Sequence, residues 1–331
     1  MSKIRVGING FGRIGRVMFR FLQEKSSIEV VAINDLTDEK TLAHLLKYDS
    51  VHGGFNGEVY GDSGVLRVNG TDIRVTSDRD PKNIPWGESN VDVVVESTGL
   101  FRTLEAASAH LRDGVKKVII SAPASGADVK SVVLGVNHHI LDGSEGVISN
   151  ASCTTNCAAP MVKVIDELCG IEEGFITTVH SYTSDQRLHD APHKDLRRSR
   201  AAAQNIVPTS TGAAKAIGII FPHLSGALQG AAYRVPVIDG SVTDITVRVK
   251  NVKSADEIRA AFKTASEGAL KGILKYNEDP IVSSDIIGSP YSCIYDAELT
   301  DVSGDLVKIV GWYDNEAGYS SRLADLIERI G

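Results

Sequence analysis

Cys153 sits in the stretch SNASCTTNC, residues 149–157, where an apolar run (GVISN) gives way to a helical pattern (CAAPMVKVIDELCG). A thiol at such a junction has two readings. Cysteine is among the most buried residue types, and Thr or Asn commonly caps helices, so Cys153 could simply be a small packed side chain. A helix N-terminus also favours a thiolate. A free thiol of pKa near 8.5 is only about 3% ionised at pH 7, and a helix start beside an imidazole can lower that pKa by units. The candidate imidazole is His180, at the end of the apolar run FITTVH. A histidine at a strand end serves structure as readily as chemistry, so geometry decides.

A second set of residues points to a ligand. Residues 10–15 read GFGRIG, matching G-x-G-x-x-G, between a strand pattern (KIRVGIN) and a helix pattern (RIGRVMFRFLQEK). Asp35 ends the next apolar run, twenty residues after Gly15. That is the context a dinucleotide fingerprint requires. Gly10, Gly12 and Gly15 permit a tight turn and close approach to a pyrophosphate, and the helix N-terminus attracts the anion. Asp35 accepts hydrogen bonds from ribose hydroxyls. A nicotinamide cofactor means hydride transfer, which gives a nucleophilic thiol a use.

The elements that must hold these residues change character near Cys153. Before it, apolar runs alternate with helical patterns: KIRVGIN, IEVVAIND, VDVVVEST, KKVIIS and VVLGVN as strands, with EKTLAHLLKYD and TLEAASAHLRDG among the helices. Strands apolar throughout and separated by helices predict a parallel sheet covered on both faces. A Gly-rich stretch over residues 51–77 reads as inserted hairpins. After Cys157, alternating segments (GFITTVHSYT, SVTDITVRV, IVSSDII, LVKIVGWYD) predict an antiparallel sheet, with helices near 210–221 and 254–271. AGYSSRLADLIERI closes the chain as an amphipathic helix. The fold class is therefore α/β: a doubly wound parallel sheet domain followed by an α+β domain with a largely antiparallel sheet. Residues 184–208 are long, charged and weakly patterned, as functional or interface loops are.

Composition narrows the partners. The chain has 331 residues, 42% apolar and 23% charged, enough for one large domain or two ordinary ones. A net charge of −7 argues against a generally basic nucleic-acid surface. No apolar run approaches a membrane span, and MSKIRVGINGFG lacks the parts of a signal peptide, so a cytoplasmic protein is expected. The four cysteines (Cys153, Cys157, Cys169, Cys293) make no disulfide framework. Cys153 and Cys157 do not match zinc-ligand spacing, so no metal is expected.

The motifs INGFGRIGR, SNASCTTNC, TTVHSYTSDQ, PHKDLRRSRAAAQNIVPTSTGAAKAIG, YRVPV and WYDNEAGYS, in this order, closely resemble phosphorylating glyceraldehyde-3-phosphate dehydrogenase over essentially the whole chain. The resemblance implies a Rossmann-type dinucleotide-binding domain over residues 1–151 with the helix at 316–331 packing back on it, and a catalytic domain over 152–315. It implies a homotetramer, with 184–208 as an S-shaped loop touching a neighbouring subunit and its cofactor. It implies NAD as cofactor, glyceraldehyde 3-phosphate and inorganic phosphate as substrates, and a glycolytic and gluconeogenic step.

Carried over by position, Cys153 is the nucleophile and His180 its base. Arg13 and Ile14 lie at the pyrophosphate, Asp35 at the ribose, Arg79 and Ser121 farther along, and Asn315 at the nicotinamide carboxamide. Ser152, Thr154, Thr183, Arg198, Thr211, Gly212 and Arg234 hold the two phosphates; LRRSR contains three arginines, of which Arg198 is taken. Ala317 stands where the family commonly has Trp, and VPVIDGSVTD departs from the common VPTPNVSVVD, a difference expected to touch subunit packing more than chemistry. Cys157 is read as a buried small residue. In the segment 184–208, Pro192 resembles NAD-preferring members and Ala191 those that accept NADP. A dehydrogenase of erythrose 4-phosphate shares the scaffold and needs a weaker second phosphate site. A scaffold or nucleic-acid-binding protein retaining the fold has no need of the complete Cys153–His180–arginine set.

Overall fold

The structure is a computed structural model and describes residues 3–331. The chain forms two compact units. One comprises the chain up to Val132 together with His138–Ala151 and Ser320–Gly331; the other comprises Val133–Asn137 and Ser152–Tyr319.

In the first unit, β1 (Ile4–Asn9), α1 (Arg13–Gln23), β2 (Ile28–Asn34) and α2 (Glu39–Lys47) alternate as expected. An antiparallel meander follows: β3 (Val59–Asp62), β4 (Val65–Val68) and β5 (Thr71–Thr76). Then come β6 (Val93–Glu96), α3 (Leu104–Ser108), β7 (Lys117–Ile120), β8 (Lys130–Ser131) and β9 (Val147–Ser149). The sheet order is β3-β4-β5-β2-β1-β6-β7-β9-β8, and every pairing outside the meander is parallel. All four residues of β6 are buried, because the sheet is covered on both faces. Trp86, Val94, Val118 and Ile120 lie in the core. The strand order reverses at β1, between β2 and β6, so the crevice beyond the carboxyl ends of these strands is the natural ligand site.

Two expected elements differ. VVLGVN is no strand, and only Lys130–Ser131 pairs with β9. Its apolar residues are buried, but Gly135 at φ +80° turns the backbone, and Asn137 Oδ1 accepts the Val133 N–H at 2.7 Å. Burial without extension looks like a strand in sequence. TLEAASAHLRDG is α-helical only over Leu104–Ser108; Asp113 (φ +52°) and Gly114 (φ +98°) lie in the left-handed region, and the intervening residues form turns.

The second unit opens with α4 (Cys153–Cys169) and β10 (Ile171–Ser181). Next are β11 (Val207–Thr209), α5 (Ala213–Ile220), β12 (Leu228–Val235), β13 (Ser241–Val249) and α6 (Ala255–Glu267). α7 (Ala317–Ile330) closes the chain and from Ser320 onward belongs to the first unit, while β14 (Leu274–Asn277), β15 (Cys293–Ser303) and β16 (Leu306–Tyr313) complete the second unit's sheet. Its order is β11-β12-β10-β13-β16-β15-β14. Most pairings are antiparallel, but β10 runs parallel to β12 and β14 to β15. β13 shows the alternation of a strand with one buried face. IVSSDII is not extended; Ser283–Ile286 forms a single 3₁₀ turn, closed by Asp285, whose carboxylate accepts the Val282 N–H at 2.7 Å. Among the described residues no helix is long and apolar enough to cross a membrane.

Candidate active site

Three elements of the second unit bring the reactive group together. Cys153 is the first residue of α4, and the Ser152 hydroxyl caps the helix by accepting the Thr155 N–H at 3.0 Å. The preceding Ala151 adopts φ +53°, a left-handed conformation costly for a residue with a Cβ, at the turn into α4. The parallel register of β10 and β12 sets His180 directly across from Arg234. Cys153 Sγ lies 3.4 Å from His180 Nε2.

The other imidazole nitrogen has two neighbours. His180 Nδ1 is 2.7 Å from the Ser181 carbonyl oxygen and 2.8 Å from Arg234 Nη1, which also donates to that carbonyl at 3.0 Å. If Nδ1 carries the proton it donates to Ser181, and Nε2 is left with a lone pair for the Cys153 proton. If Nδ1 instead accepts from Arg234, Nε2–H donates to sulfur. The first tautomer is a base and the second a thiolate stabiliser.

Electrostatics favour the uncharged pair. Burial is the largest influence on Cys153 and raises its thiol, against the pull of Arg234 and of bonds from Thr154. Burial also drives His180 down, to about 3, aided by Arg234 and Arg198 and opposed by the Ser181 carbonyl. Desolvation thus opposes the thiolate that the helix start favours.

The anion-binding candidates divide. Arg198 Nε donates to Thr209 Oγ1 at 2.8 Å, its guanidinium pairs with Asp185, and its charge acts on both His180 and Arg234. Among the three arginines of LRRSR, Arg197 is exposed and Arg200 pairs with Asp190 at 2.7 Å. The Thr211 hydroxyl accepts the Ala213 N–H at 3.1 Å. Gly212 caps α5 without a side-chain bond, and nothing lies within 4 Å of where a Cβ would stand. Thr183 follows β10 and is partly exposed. Thr154 turns inward: its hydroxyl is 2.9 Å from the Tyr313 hydroxyl, which lies 2.8 Å from Thr178 Oγ1.

Asn315 is buried, and its Oδ1 accepts from the hydroxyls of Ser181 (2.8 Å) and Ser241 (2.7 Å). Neither serine stood out in the sequence. The available signal was a hydroxyl directly after His180 at the end of the same strand. Ala317 is also buried, and its N–H, like that of Glu316, is capped by Asp314 Oδ1. Cys157 is fully buried, and burial first, then Cys293, raises its thiol well above the ordinary range.

The glycine turn lies in the first unit. Gly10 has φ +90°, and a Cβ there would meet Thr98 N at 2.8 Å. A Cβ on Gly15 would stand 2.4 Å from the Gly10 carbonyl oxygen. Gly12 differs: it caps α1 with no side-chain bond, and nothing lies within 4 Å of its Cβ position. The helix start is thus left open to an anion. Asp35 accepts the Phe11 N–H at 2.7 Å and the Thr37 N–H at 2.9 Å, which fixes its carboxylate beside the turn. Arg13 pairs with Asp49 at 2.6 Å. Burial pushes Asp49 up, but N–H bonds from His52 and Val51 and the Arg13 charge outweigh it and hold it at about 2. Ile14 and Ser121 are partly exposed and Arg79 is exposed. Beneath the turn runs a buried network that sequence reading missed. Trp86 Nε1 donates to His110 Nδ1 at 3.1 Å, His110 Nε2 lies 3.1 Å from Glu96, and Asn9 donates to the same carboxylate at 2.6 Å. These residues fit a dinucleotide: an open helix N-terminus, a turn in which two glycines admit no side chain, and a carboxylate fixed at its edge.

Comparisons with known proteins agree with both units. Residues 4–104 match the model of the glyceraldehyde 3-phosphate dehydrogenase NAD binding domain, and residues 152–315 match that of the C-terminal domain. Glyceraldehyde-3-phosphate dehydrogenase 2 of Streptomyces avermitilis is 57% identical over 331 residues, covering 99% of this chain and 98% of its own. The glyceraldehyde-3-phosphate dehydrogenase of Mycobacterium tuberculosis (strain H37Rv) is 57% identical over 336 residues with the same coverage. Glyceraldehyde-3-phosphate dehydrogenase 2 of Streptomyces arenae is 56% identical over 330 residues, again at 99% and 98%. With a thiol set against an imidazole, an open dinucleotide turn and this likeness across its length, the chain belongs to the glyceraldehyde-3-phosphate dehydrogenase family.

Proposed function

We propose that this protein is a cytoplasmic homotetramer that oxidises glyceraldehyde 3-phosphate to 1,3-bisphosphoglycerate with inorganic phosphate and NAD. The observation that carries the reading is the 3.4 Å approach of Cys153 Sγ to His180 Nε2 with Arg234 alongside. In the Nδ1–H tautomer, Nε2 takes the thiol proton as sulfur adds to the aldehyde carbon and passes it to the resulting oxyanion, giving a hemithioacetal and restoring the neutral imidazole. His180 next removes the hydroxyl proton of that adduct, and a thioester is left on Cys153. NAD, when bound, supplies the hydride acceptor for this oxidation. Phosphate then attacks the thioester carbonyl, the Cys153 thiolate leaves, and the acyl phosphate departs.

Arg234 and Arg198 supply charge-assisted bonds to the phosphate groups, completed by Ser152, Thr183, Thr211 and the N–H groups of Thr154, whose hydroxyl is turned inward to Tyr313, and Gly212. The same two arginines depress His180. A phosphate dianion bound to them offsets that effect, so His180 becomes a better base when substrate is present. On the cofactor side, Gly10, Gly12, Arg13, Ile14 and Gly15 take the pyrophosphate and Asp35 the ribose. Arg79 and Ser121 lie farther along, and Asn315 takes the nicotinamide carboxamide. The test is a progress curve of NADH absorbance with glyceraldehyde 3-phosphate. Sustained turnover is expected with phosphate, and without it a burst of no more than one equivalent per chain. Equal steady rates in both conditions would defeat the phosphorylating reaction.

A further inference from the structure

Ser181 occupies a junction. Its carbonyl oxygen meets His180 Nδ1 and Arg234, its N–H donates to Ser241 Oγ at 3.1 Å, and its hydroxyl donates to Asn315 Oδ1 at 2.8 Å. Ser241 Oγ, already accepting that N–H, sends its own proton to Asn315 Oδ1 at 2.7 Å. Both serines are essentially inaccessible, at 0% and 1% exposure, so their hydroxyl protons must find an acceptor inside the protein. The amide oxygen of Asn315 is that acceptor. Turning the amide over would set an NH2 group against the two hydroxyls and leave both buried hydroxyl protons without this acceptor.

We propose that Ser181 and Ser241 are positioning residues that lock the Asn315 amide with its oxygen inward, so that Asn315 meets the cofactor as a donor through Nδ2. The proposal rests on the reading of Asn315 as the residue at the nicotinamide carboxamide. A carboxamide offers one end that accepts and one that donates. A locked donor selects its carbonyl end and so fixes which way up the ring is held. Ser181 then braces two functions through separate atoms: the base through its carbonyl, and the cofactor amide through its hydroxyl.

The separation makes the test clean, because Ser181→Ala removes the hydroxyl and keeps the carbonyl. Equilibrium binding is measured for NAD and for 3-acetylpyridine adenine dinucleotide, whose acetyl group keeps the carbonyl and lacks the N–H. A donating Asn315 bonds the carbonyl common to both, so Asn315→Ala weakens both by the same factor. Ser181→Ala with Ser241→Ala weakens NAD by about two- to tenfold for each hydroxyl removed. Ser181→Thr restores affinity relative to Ser181→Ala, and alkylation of Cys153 in the cofactor-free enzyme keeps its wild-type rate in Ser181→Ala, which retains the Ser181 N–H and carbonyl contacts. The proposal is overturned if Asn315→Ala weakens NAD alone, for then Asn315 accepts. It is overturned equally if the double serine variant binds NAD as wild type does while Asn315→Ala does not. No effect of Asn315→Ala on either probe removes the reading of Asn315 itself, and the proposal with it.

Discussion

Burial raises the Cys153 thiol and lowers His180, so both are pushed toward their neutral forms. In the proposed mechanism the thiolate arises by proton transfer to Nε2 during attack, which makes His180 more than an electrostatic bystander. Cys153→Ala is expected to abolish phosphate-dependent turnover while NAD still binds, since the glycine turn is a separate structure. His180→Asn should lower kcat by about 10²–10⁴, the usual scale for loss of a positioned base. Iodoacetate should label Cys153 ahead of Cys157, Cys169 and Cys293, which are fully buried whereas Cys153 is partly exposed. Near-full activity in the alanine variant would end this mechanism. Asp35 carries a second residue-scale expectation. A 2′-phosphate within about 4 Å of its carboxylate meets about 1 kcal/mol of repulsion in water and about 4 at an intermediate dielectric. Leu36, which follows, offers no charge to offset it. NAD should therefore be preferred in kcat/KM by about five- to a thousandfold, since 1.36 kcal/mol is a factor of ten. Asp35→Gly should narrow the gap mainly by improving NADP. The variant also leaves the Phe11 and Thr37 N–H groups without their acceptor, so some loss with NAD is expected too. Equal efficiencies in the wild type would refute the assignment.

The junction between β12 and β13 holds an acid that the family's common sequence lacks. In VPVIDGSVTD, Asp239 stands where VPTPNVSVVD has Asn. The expectation that this difference concerns subunit packing is incomplete, because Asp239 is fully buried beside Asp314, the residue that caps α7 and precedes Asn315. Burial first, then Asp314 and Glu316, pushes Asp239 from 3.8 up to about 9. The folded state thus holds a proton that the unfolded chain releases above its ordinary carboxylate range. The resulting stabilisation is complete below pH 3.8 and is lost as pH rises toward 9. Asp239→Asn mimics the protonated form. It should match wild type near pH 4 and melt at a progressively higher temperature than wild type as pH rises toward 9. Parallel melting curves across that range, with a constant difference, would show that Asp239 does not titrate with folding. The same segment shows what a sequence can and cannot disclose. KIRVGIN and VDVVVEST read as strands because both faces are buried, and GFGRIG with Asp35 carries its function in spacing alone. VVLGVN is equally apolar but is bent by Gly135. His180 and Arg234 could each be named in advance, yet their meeting depends on β10 running parallel to β12 within a sheet that alternation predicts as antiparallel. Nothing local encodes that register, and Asp239 and Ser181 draw their importance from partners 75 and 134 positions away, Asp314 and Asn315.

At the scale of the whole molecule, the segment over residues 184–208 is tied down at its polar groups and open at its apolar ones. Arg187 Nε donates to the Pro192 carbonyl at 3.0 Å, the Ala202 N–H to the Arg187 carbonyl at 2.9 Å, and Asp190 accepts from Arg200 and from the Ala201 N–H. Against that internal bonding, Leu188 is 78% exposed, Leu196 81% and Ile206 68%. A loop that satisfies its own backbone while holding large apolar side chains outward is shaped for a partner surface. Burying each such side chain is worth about 1.5–3 kcal/mol, so three per chain, repeated by symmetry, add substantially to assembly. The homotetramer proposed above gives them a place to go. Sedimentation velocity at micromolar concentration should then give a single species of about four chains for wild type. Leu188→Glu combined with Leu196→Glu should shift it to smaller species, by placing carboxylates where desolvation is required. Arg198 lies in the same segment and reaches Thr209 and Asp185, so loosening the loop should also raise the Michaelis constant for phosphate. A wild-type monomer, or a double variant that still sediments as four chains, would place the assembly surface elsewhere and leave these leucines without a partner.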